Sequence, residues 1–258
     1  MSASELISGG SGTRSECKSS HWPGIPGRDS LGQIHIMPVV VSPERAGHSI
    51  SQMNSQASVL TLPLRYSTPD SWAERALADP LSLLSDHAYL EKKAASNALE
   101  LLNRWPEPLC PDDWVVTLAA IARDETAHLY SVVRLLSQRG GKLERLHQNP
   151  YAGELRKLVR KGAGTGELVD RLLVSALIEA RSCERFEVLS RLCVDSELAQ
   201  FYRSLWSSEF GHYKVFLRLA GEIAAAEEVR VRWQELVADE AEIISSQAPG
   251  PRMHSGAG

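Results

Sequence analysis

The chain has 258 residues, of which 43% are hydrophobic and 23% are charged, and its 28 Lys and Arg against 32 Asp and Glu give a formal net charge of −4. This balance excludes a protein that coats nucleic acid or binds membranes through an overall polybasic surface. The four cysteines include no CxxC pair, which excludes a disulfide scaffold and a cysteine-rich zinc module. Apolar stretches are too short for a membrane span and no signal peptide pattern is present, so we expect a cytoplasmic protein.

The first 57 residues are dominated by small and polar side chains, with 12 Ser, 7 Gly and 4 Pro and no sustained apolar periodicity. This composition predicts a disordered leader over residues 1–57. A start codon placed too far upstream is an alternative explanation, because Met37 and Met53 lie closer to the first structured segment, and a regulatory tail is another. We expect a helical domain over residues 58–246 and a disordered tail over residues 247–258.

The structured segments after residue 58 all show the apolar spacing of helices. Asp79 followed by Pro80 supplies an N-cap and a first-turn proline for the first long helix, and Thr165 can cap the third. The predicted helices, in chain order, cover residues 71–78, 80–104, 111–139, 150–161, 165–191, 196–221 and 224–246.

The lengths of the connections between these helices indicate the topology of the domain. Two pairs of long helices have short turns, and one connection of about 24 residues separates the pairs, as in known bundles. No strand pattern competes with this interpretation. We therefore predict an all-α four-helix bundle with a crossover between its second and third long helices, followed by a C-terminal fifth helix.

The second and fourth long helices each contain the motif Glu-x-x-His, as Glu125 with His128 and as Glu209 with His212. Residues three apart on a helix lie about 60° apart around its axis, so the two side chains can bind one ion. Helical steps from Glu125 reach an apolar stripe made of Val115, Leu118, Leu129, Val132 and Leu136. Steps from Glu209 reach a second stripe, Leu198, Tyr202, Leu205, Tyr213 and Phe216. A buried carboxylate needs a partner or a metal, so both motifs indicate an internal metal site.

A two-metal site in such a bundle needs one more carboxylate from each remaining helix. Glu91 lies on a small, apolar face of the first long helix, and Glu179 lies on the buried face of the third. Glu184 is the alternative on the third helix, but it lies about 140° around the axis from Glu179. We therefore expect Glu184 to form an ion pair with Arg181 or Arg185.

Four carboxylates and two imidazoles make an oxygen-rich ligand set that suits iron or manganese better than zinc or copper. Two divalent ions would nearly neutralise four carboxylates. Asp124 directly precedes Glu125, where it can accept a hydrogen bond from a ligand histidine across the bundle. An ordinary solvated carboxylate is the alternative explanation for Asp124.

Three longer stretches resemble one protein family. They are residues 86–95 (DHAYLEKKAA), residues 178–186 (IEARSCERF) and residues 201–212, in which FYRSL precedes SEFGH. Over about residues 60–220 the chain closely resembles the tRNA 2-methylthio-N(6)-isopentenyladenosine hydroxylases of the MiaE type. These stretches are more specific than Glu-x-x-His alone, which is also found in ferritins, rubrerythrins and bacterial multicomponent monooxygenases.

The resemblance implies a ferritin-like fold and a non-haem di-iron monooxygenase. Such an enzyme hydroxylates the isopentenyl group of the modified adenosine 37 beside the tRNA anticodon, with O2 as co-substrate and an electron-donor protein as reductant. It implies two iron ions, no membrane association and a monomer or dimer. The catalytic residues and metal ligands would be Glu91, Glu125, His128, Glu179, Glu209 and His212.

The connector between the second and third long helices is a candidate RNA-binding segment. Residues 139–161 contain seven basic and two acidic residues, whereas residues 218–246 contain three Arg and seven acidic residues. This polarity favours docking of an anticodon stem-loop on the connector side, although an ordinary solvated surface explains the same charges. The candidate RNA contacts are Arg156, Lys157, Arg160 and Lys161.

Two other classes of protein could carry the same residues. A ferritin-like protein for iron storage or peroxide scavenging would use the same six ligands without an organic substrate. A helical adaptor would only pair its buried polar residues with each other. Assembly separates storage from hydroxylation, because storage requires a closed shell of many subunits.

Overall fold

The computed structural model describes residues 62–258, so the predicted leader at residues 1–57 lies outside the described part of the chain. Residues 62–258 form seven α-helices and contain no β-strand. The helices are α1 (Asp70–Leu77), α2 (Pro80–Leu101), α3 (Trp114–Gln138), α4 (Pro150–Lys157), α5 (Thr165–Leu192), α6 (Ser196–Ile223) and α7 (Ala226–Ser245).

The four long helices α2, α3, α5 and α6 form a bundle. The most extensive packing joins α2 to α3 and α5 to α6. Residues 193–195 connect α5 to α6 directly, whereas residues 139–164, which include α4, cross from α3 to α5. The predicted four-helix bundle with its crossover and its C-terminal fifth helix, here α7, is thus confirmed. Within residues 62–258, no helix combines the length and apolarity that crossing a membrane requires.

Side-chain caps begin three of the seven helices of residues 62–258, α2, α4 and α6. The Asp79 side chain accepts a hydrogen bond from the Ser82 backbone N–H at 3.1 Å, so it caps α2 as predicted. Thr165 does not cap α5, because it is already the first residue of that helix. Gly164, with φ of +57°, occupies the cap position, one residue before the predicted cap.

The core consists of two hydrophobic clusters separated by a polar layer. On α3, Leu118 and Ile121 belong to one cluster, whereas Val132 and Leu136 belong to the other. The same division recurs on α2, α5 and α6, so each long helix crosses both clusters. Val115 departs from the predicted α3 stripe and is 38% exposed, because it lies in the first turn at the end of the bundle. Buried polar residues occupy the middle of each long helix.

The C-terminal residues 247–258, predicted to be disordered, pack against the bundle instead. Met253 is fully buried, and its backbone N–H donates to Asp86 Oδ2 at 2.8 Å. The buried Arg185 guanidinium donates to the backbone carbonyls of Met253 and Ser255, at 2.5 and 2.8 Å. Polar side chains of α2 and α5 therefore hold this segment, which has no apolar periodicity that a sequence pattern could reveal.

Candidate metal centre

The polar layer contains all six candidate ligands, which come from the four long helices. Glu91 lies on α2, Glu125 and His128 lie on α3, Glu179 lies on α5, and Glu209 and His212 lie on α6. The four carboxylates are between 1% and 6% exposed, and the His128 side chain, the most open of the six, is 13% exposed. Six ionisable groups thus share one small volume in the middle of the core.

The two Glu-x-x-His motifs interlock across the bundle. His128 Nδ1 lies 2.9 Å from Glu209 Oε1 on the opposite motif and 3.6 Å from Glu91 Oε2. In the reciprocal contact, His212 Nδ1 lies 2.7 Å from Glu125 Oε1. Each imidazole therefore approaches the carboxylate of the other motif, as expected when both motifs point into one site.

Several of these close atoms lack a hydrogen-bond partner. Glu125 Oε1, Glu209 Oε1 and His128 Nδ1 are buried and make no hydrogen bond within the described part of the chain. Their separations are short, but none of these contacts has the geometry of a hydrogen bond. Atoms of Glu91, Glu125, His128 and Glu209 lie within 4.8 Å of one another. Buried polar atoms left unpaired in this way fit a bound cation better than a closed polar network.

Burial and mutual repulsion raise the pKa values of two carboxyl groups. Burial is the main cause for Glu125, and the negative charge of Glu209 adds to it, so the pKa of Glu125 rises to about 8. Burial likewise raises the pKa of Glu179 well above its usual range, with further contributions from Glu125 and Glu209. Without a cation these carboxyl groups retain protons, because four carboxylates cannot all ionise at close range.

The pKa values of the two imidazoles rise, although burial by itself would lower them. Burial alone would lower the pKa of His128, but the adjacent carboxylates of Glu125, Glu209 and Glu91 raise it to about 12. Burial also opposes protonation of His212, whose pKa nevertheless rises to about 10 because of Glu125 and Glu209. Protons thus supply the positive charge that the carboxylates require, and divalent cations can replace those protons.

One buried residue beside the centre was not among the predicted site residues. His87 on α2 is 1% exposed, and its Nε2 lies 2.5 Å from Glu91 Oε1. Rings of Phe186, Phe201 and Tyr202 surround the imidazole. The spacing of four residues between His87 and Glu91 on one helix face was the signal that could have identified it.

Asp124 and Glu184 both lie outside the ligand cluster. Asp124 Oδ2 is 3.8 Å from His212 Nε2, which is beyond hydrogen-bond distance, and its Oδ1 accepts two hydrogen bonds from Arg123. Glu184 accepts hydrogen bonds from the backbone N–H and the hydroxyl of Thr68, both at 2.7 Å, and pairs with Arg181. Glu184 therefore has the ion-pairing environment expected from the sequence, and Glu179 is the α5 carboxylate in the cluster.

A cavity of about 100 Å³ extends from the ligand cluster toward the surface between α2, α4 and α5. Its inner end is lined by Glu91, Glu125, Glu179 and Glu209. Its apolar walls include Ala94, Val174 and Ile178, and Met253 and His254 of the C-terminal segment add to the lining. Polar and basic side chains also line the cavity; they are Lys93, Asn97, Asn149, Arg156, Arg171, Ser175 and Ser182.

The four candidate RNA contacts differ in their surroundings. Arg156 is exposed and lines the cavity. Lys157 pairs with Glu154 at 2.6 Å, and Arg160 donates to the buried Asp170 at 2.9 Å. Lys161 is exposed and does not line the cavity. Arg160 therefore supports the fold, and Arg156 is the member of the group closest to the candidate site.

Comparison with known proteins identifies the family. The family model described as tRNA-(MS[2]IO[6]A)-hydroxylase (MiaE) matches residues 56–255. The chain belongs to the MiaE family. This match includes the four long helices and residues 247–255 of the C-terminal segment. Most of that segment is therefore part of the region that the family model describes.

Two curated relatives support the MiaE assignment. A tRNA 2-(methylsulfanyl)-N(6)-isopentenyladenosine(37) hydroxylase of Pseudomonas putida is 43% identical over 190 residues, covering 73% of this chain and 90% of the relative. The protein of the same name from Salmonella typhimurium is 30% identical over 236 residues, covering 73% of this chain and 86% of the relative.

A solved structure matches the fold of this MiaE-family chain. It is described as protein 43 with aldehyde deformylating oxygenase activity from Synechococcus, and it is 34% identical with a TM-score of 0.70. The match covers 75% of this chain and 96% of that structure. The predicted ferritin-like fold is therefore confirmed, and the bundle is shared with a protein named as an oxygenase.

Proposed function

We propose that this chain is a tRNA-modifying monooxygenase that hydroxylates the isopentenyl group of 2-methylthio-N(6)-isopentenyladenosine at position 37. The observation that carries the proposal is the convergence of unpaired carboxylate and imidazole atoms at the inner end of a cavity. Family membership assigns the substrate class, because both curated relatives are named as hydroxylases of this nucleoside.

Six residues would hold a pair of iron ions: Glu91, Glu125, His128, Glu179, Glu209 and His212. Hard carboxylate oxygens with one imidazole for each ion fit iron, and a carboxylate-rich set is the arrangement that ferritin-like bundles use for two metals. When bound, the iron pair supplies activation of O2, with electrons from an external donor protein. Asp124 would act as a positioning residue for His212, whose Nε2 lies 3.8 Å from Asp124 Oδ2.

The cavity walls match the chemical character of the proposed substrate. Ala94, Val174 and Ile178 offer apolar surface to a branched hydrocarbon group, and Asn97 donates a hydrogen bond to Ser175 across the same cavity at 2.9 Å. Burial of the ligand cluster limits the access of water, which protects a reactive site from side reactions. The nucleobase would remain nearer the polar end of the cavity.

The modified base of an anticodon loop can enter the cavity at a low cost in free energy. Its nucleotides are single-stranded, so a base can turn outward without disruption of a duplex. A partner RNA and a donor protein require open surface near the cavity, and a monomer or dimer provides it. Family membership does not favour the alternative of an iron-storage or peroxide-scavenging protein.

Mass spectrometry of tRNA nucleosides tests the function directly. Cells that lack the gene should accumulate the unhydroxylated nucleoside, and the wild-type gene should restore the hydroxylated form. A Glu125→Ala gene should not restore it, because the variant lacks a ligand at the centre of the cluster. Unchanged hydroxylated nucleoside in the deletion strain would refute the proposal.

A further inference from the structure

Two positive side chains at the exposed end of the cavity have no carboxylate partner within the described part of the chain. They are Lys93 on α2 and Arg156 on α4, and both line the cavity that reaches the ligand cluster. Lys93 is half-buried, and Arg156 is exposed. Two neighbouring cations without an anion repel each other, so this end of the cavity favours a bound anion.

Neighbouring side chains hold Lys93 in place without neutralising it. Lys93 Nζ donates to His147 Nδ1 at 2.8 Å, because an ammonium group can only donate. The other imidazole nitrogen, Nε2, therefore carries the proton and donates to Asp86 Oδ1 at 2.7 Å. The His147 ring also stacks on Tyr89, with centroids 4.7 Å apart. The ammonium group is thus positioned by an imidazole. The carboxylate of Asp86 contacts that imidazole and not the ammonium group.

Three other basic residues of this region are already paired. Lys157 pairs with Glu154, Arg160 with Asp170, and Arg171 with Glu167 at 2.9 Å. Lys93 was not among the predicted RNA contacts, because it lies on a ligand helix and not on the basic connector. The fold brings it beside Arg156, which is the one predicted contact that lines the cavity.

We propose that Lys93 and Arg156 form a subsite for the RNA phosphodiester backbone that flanks the base inside the cavity. This inference rests on the proposed function. A base that enters a pocket stays attached to its sugar and phosphates, which remain at the pocket entrance. The phosphates meet an ammonium and a guanidinium group there, and these are the groups that contact nucleic-acid backbones most often.

Salt-dependent binding tests the subsite. The full-length metal-loaded protein is titrated into labelled anticodon stem-loop RNA that carries the modified adenosine, and fluorescence anisotropy is recorded at several salt concentrations. The double variant Lys93→Gln/Arg156→Gln should bind on the order of tenfold more weakly at moderate salt. Its slope of log affinity against log salt should be shallower by about 1.4, because each phosphate contact on single-stranded RNA contributes about 0.7.

Two further variants serve as controls. Lys93→Arg keeps the charge and should retain most of the slope. Lys157→Gln removes an exposed charge from the same helix as Arg156 but outside the cavity lining, so its effect on the slope should be smaller. An unchanged slope in the double variant, or an equal change in Lys157→Gln, would overturn the subsite.

Turnover separates this inference from the function on which it rests. The double variant should lose more activity on tRNA than on the free modified nucleoside, which has no phosphodiester to bind. If the wild-type protein hydroxylates both substrates but the variant loses activity on both equally, the subsite is wrong. If the wild-type protein hydroxylates neither, the proposed function itself fails.

Discussion

Helix α5 contributes to two buried groups of charged side chains, which differ in the balance between their hydrogen-bond donors and acceptors. The first group is the candidate metal centre, to which α5 contributes Glu179. The second is the Arg181 cluster, defined here as Arg181 and Glu184 of α5 with Thr68, Tyr151 and Glu240. Arg181 and Glu240 are both fully buried. Both groups therefore contain buried charged side chains within a short length of one helix.

Both carboxylates of the Arg181 cluster have hydrogen-bond donors. Arg181 donates to both oxygens of Glu240, at 2.7 and 2.8 Å, and the Tyr151 hydroxyl donates to Glu240 Oε1 at 3.1 Å. Glu184 pairs with Arg181 and accepts hydrogen bonds from the backbone N–H and the hydroxyl of Thr68. One cation and hydroxyl or backbone donors thus match the acceptors, and no oxygen is left to bind a metal.

The candidate metal centre has the opposite balance. Its four carboxylates face the imidazoles of His128, His212 and His87 and no Lys or Arg, and two of its carboxylate oxygens have no partner within the described residues. Burial is common to both groups, so burial alone does not distinguish a site from a structural ion pair. The balance of donors and acceptors makes the distinction, and three experiments can challenge it.

The largest expected difference is between the two carboxylates of α5. Glu179→Ala should abolish hydroxylation and lower the iron content of the purified protein, because it removes a proposed ligand. Glu184→Ala should keep the iron and lose stability by about 1–3 kcal/mol, since it leaves the two donors of Thr68 without their acceptor and removes one acceptor of Arg181. Metal analysis and thermal unfolding measure both effects. Full iron retention in Glu179→Ala together with iron loss in Glu184→Ala would reverse the assignment.

The Arg181 cluster should be sensitive to the loss of a single partner. Arg181→Met leaves the Glu240 carboxylate buried without its cation, which should lower the free energy of unfolding by about 3–5 kcal/mol. The matched double variant Arg181→Met/Glu240→Leu removes both charges and should lose less. Urea unfolding measures the difference between the two. Equal losses in both variants would show that packing, and not the ion pair, dominates this cluster.

The smallest expected effect is a pH dependence that only the metal-free centre should show. In the folded state Glu125 keeps its proton up to a pKa of about 8, whereas in the unfolded chain it ionises in the ordinary carboxyl range. The folded state therefore binds more protons between these values, and stability should fall as the pH rises toward 8. The raised pKa values of His128 and His212 act in the same direction above the ordinary histidine range.

Metal loading and a ligand variant provide the controls for this pH dependence. Iron binding requires deprotonated ligands, so stability of the iron-loaded protein should not fall over the same range. Metal-free Glu125→Gln should show a weaker decline, because its amide has no proton to lose. Thermal unfolding from about pH 6 to about pH 9 measures all three samples. A metal-free protein whose stability rises over this range would contradict the balance of charges described here.

Sequence alone determined the helices and the candidate ligands, because both depend on local spacing. Apolar periodicity defined the four long helices, and the positions of Glu125 and Glu209 on apolar helix faces predicted that both carboxylates are buried, as they are. Glu179 was separated from Glu184 by the angle between them around one helix axis. Such arguments need only the geometry of a single helix.

Tertiary structure decided the features that join distant parts of the chain. The burial of residues 247–258 depends on Arg185 and Asp86, which lie far away in sequence and have no pattern in common with that segment. The pairing of Arg160 with Asp170 and the approach of His147 to Lys93 likewise join residues that no local pattern connects. Periodicity specifies which face of a helix is buried, but only the folded chain specifies which distant polar group meets it there.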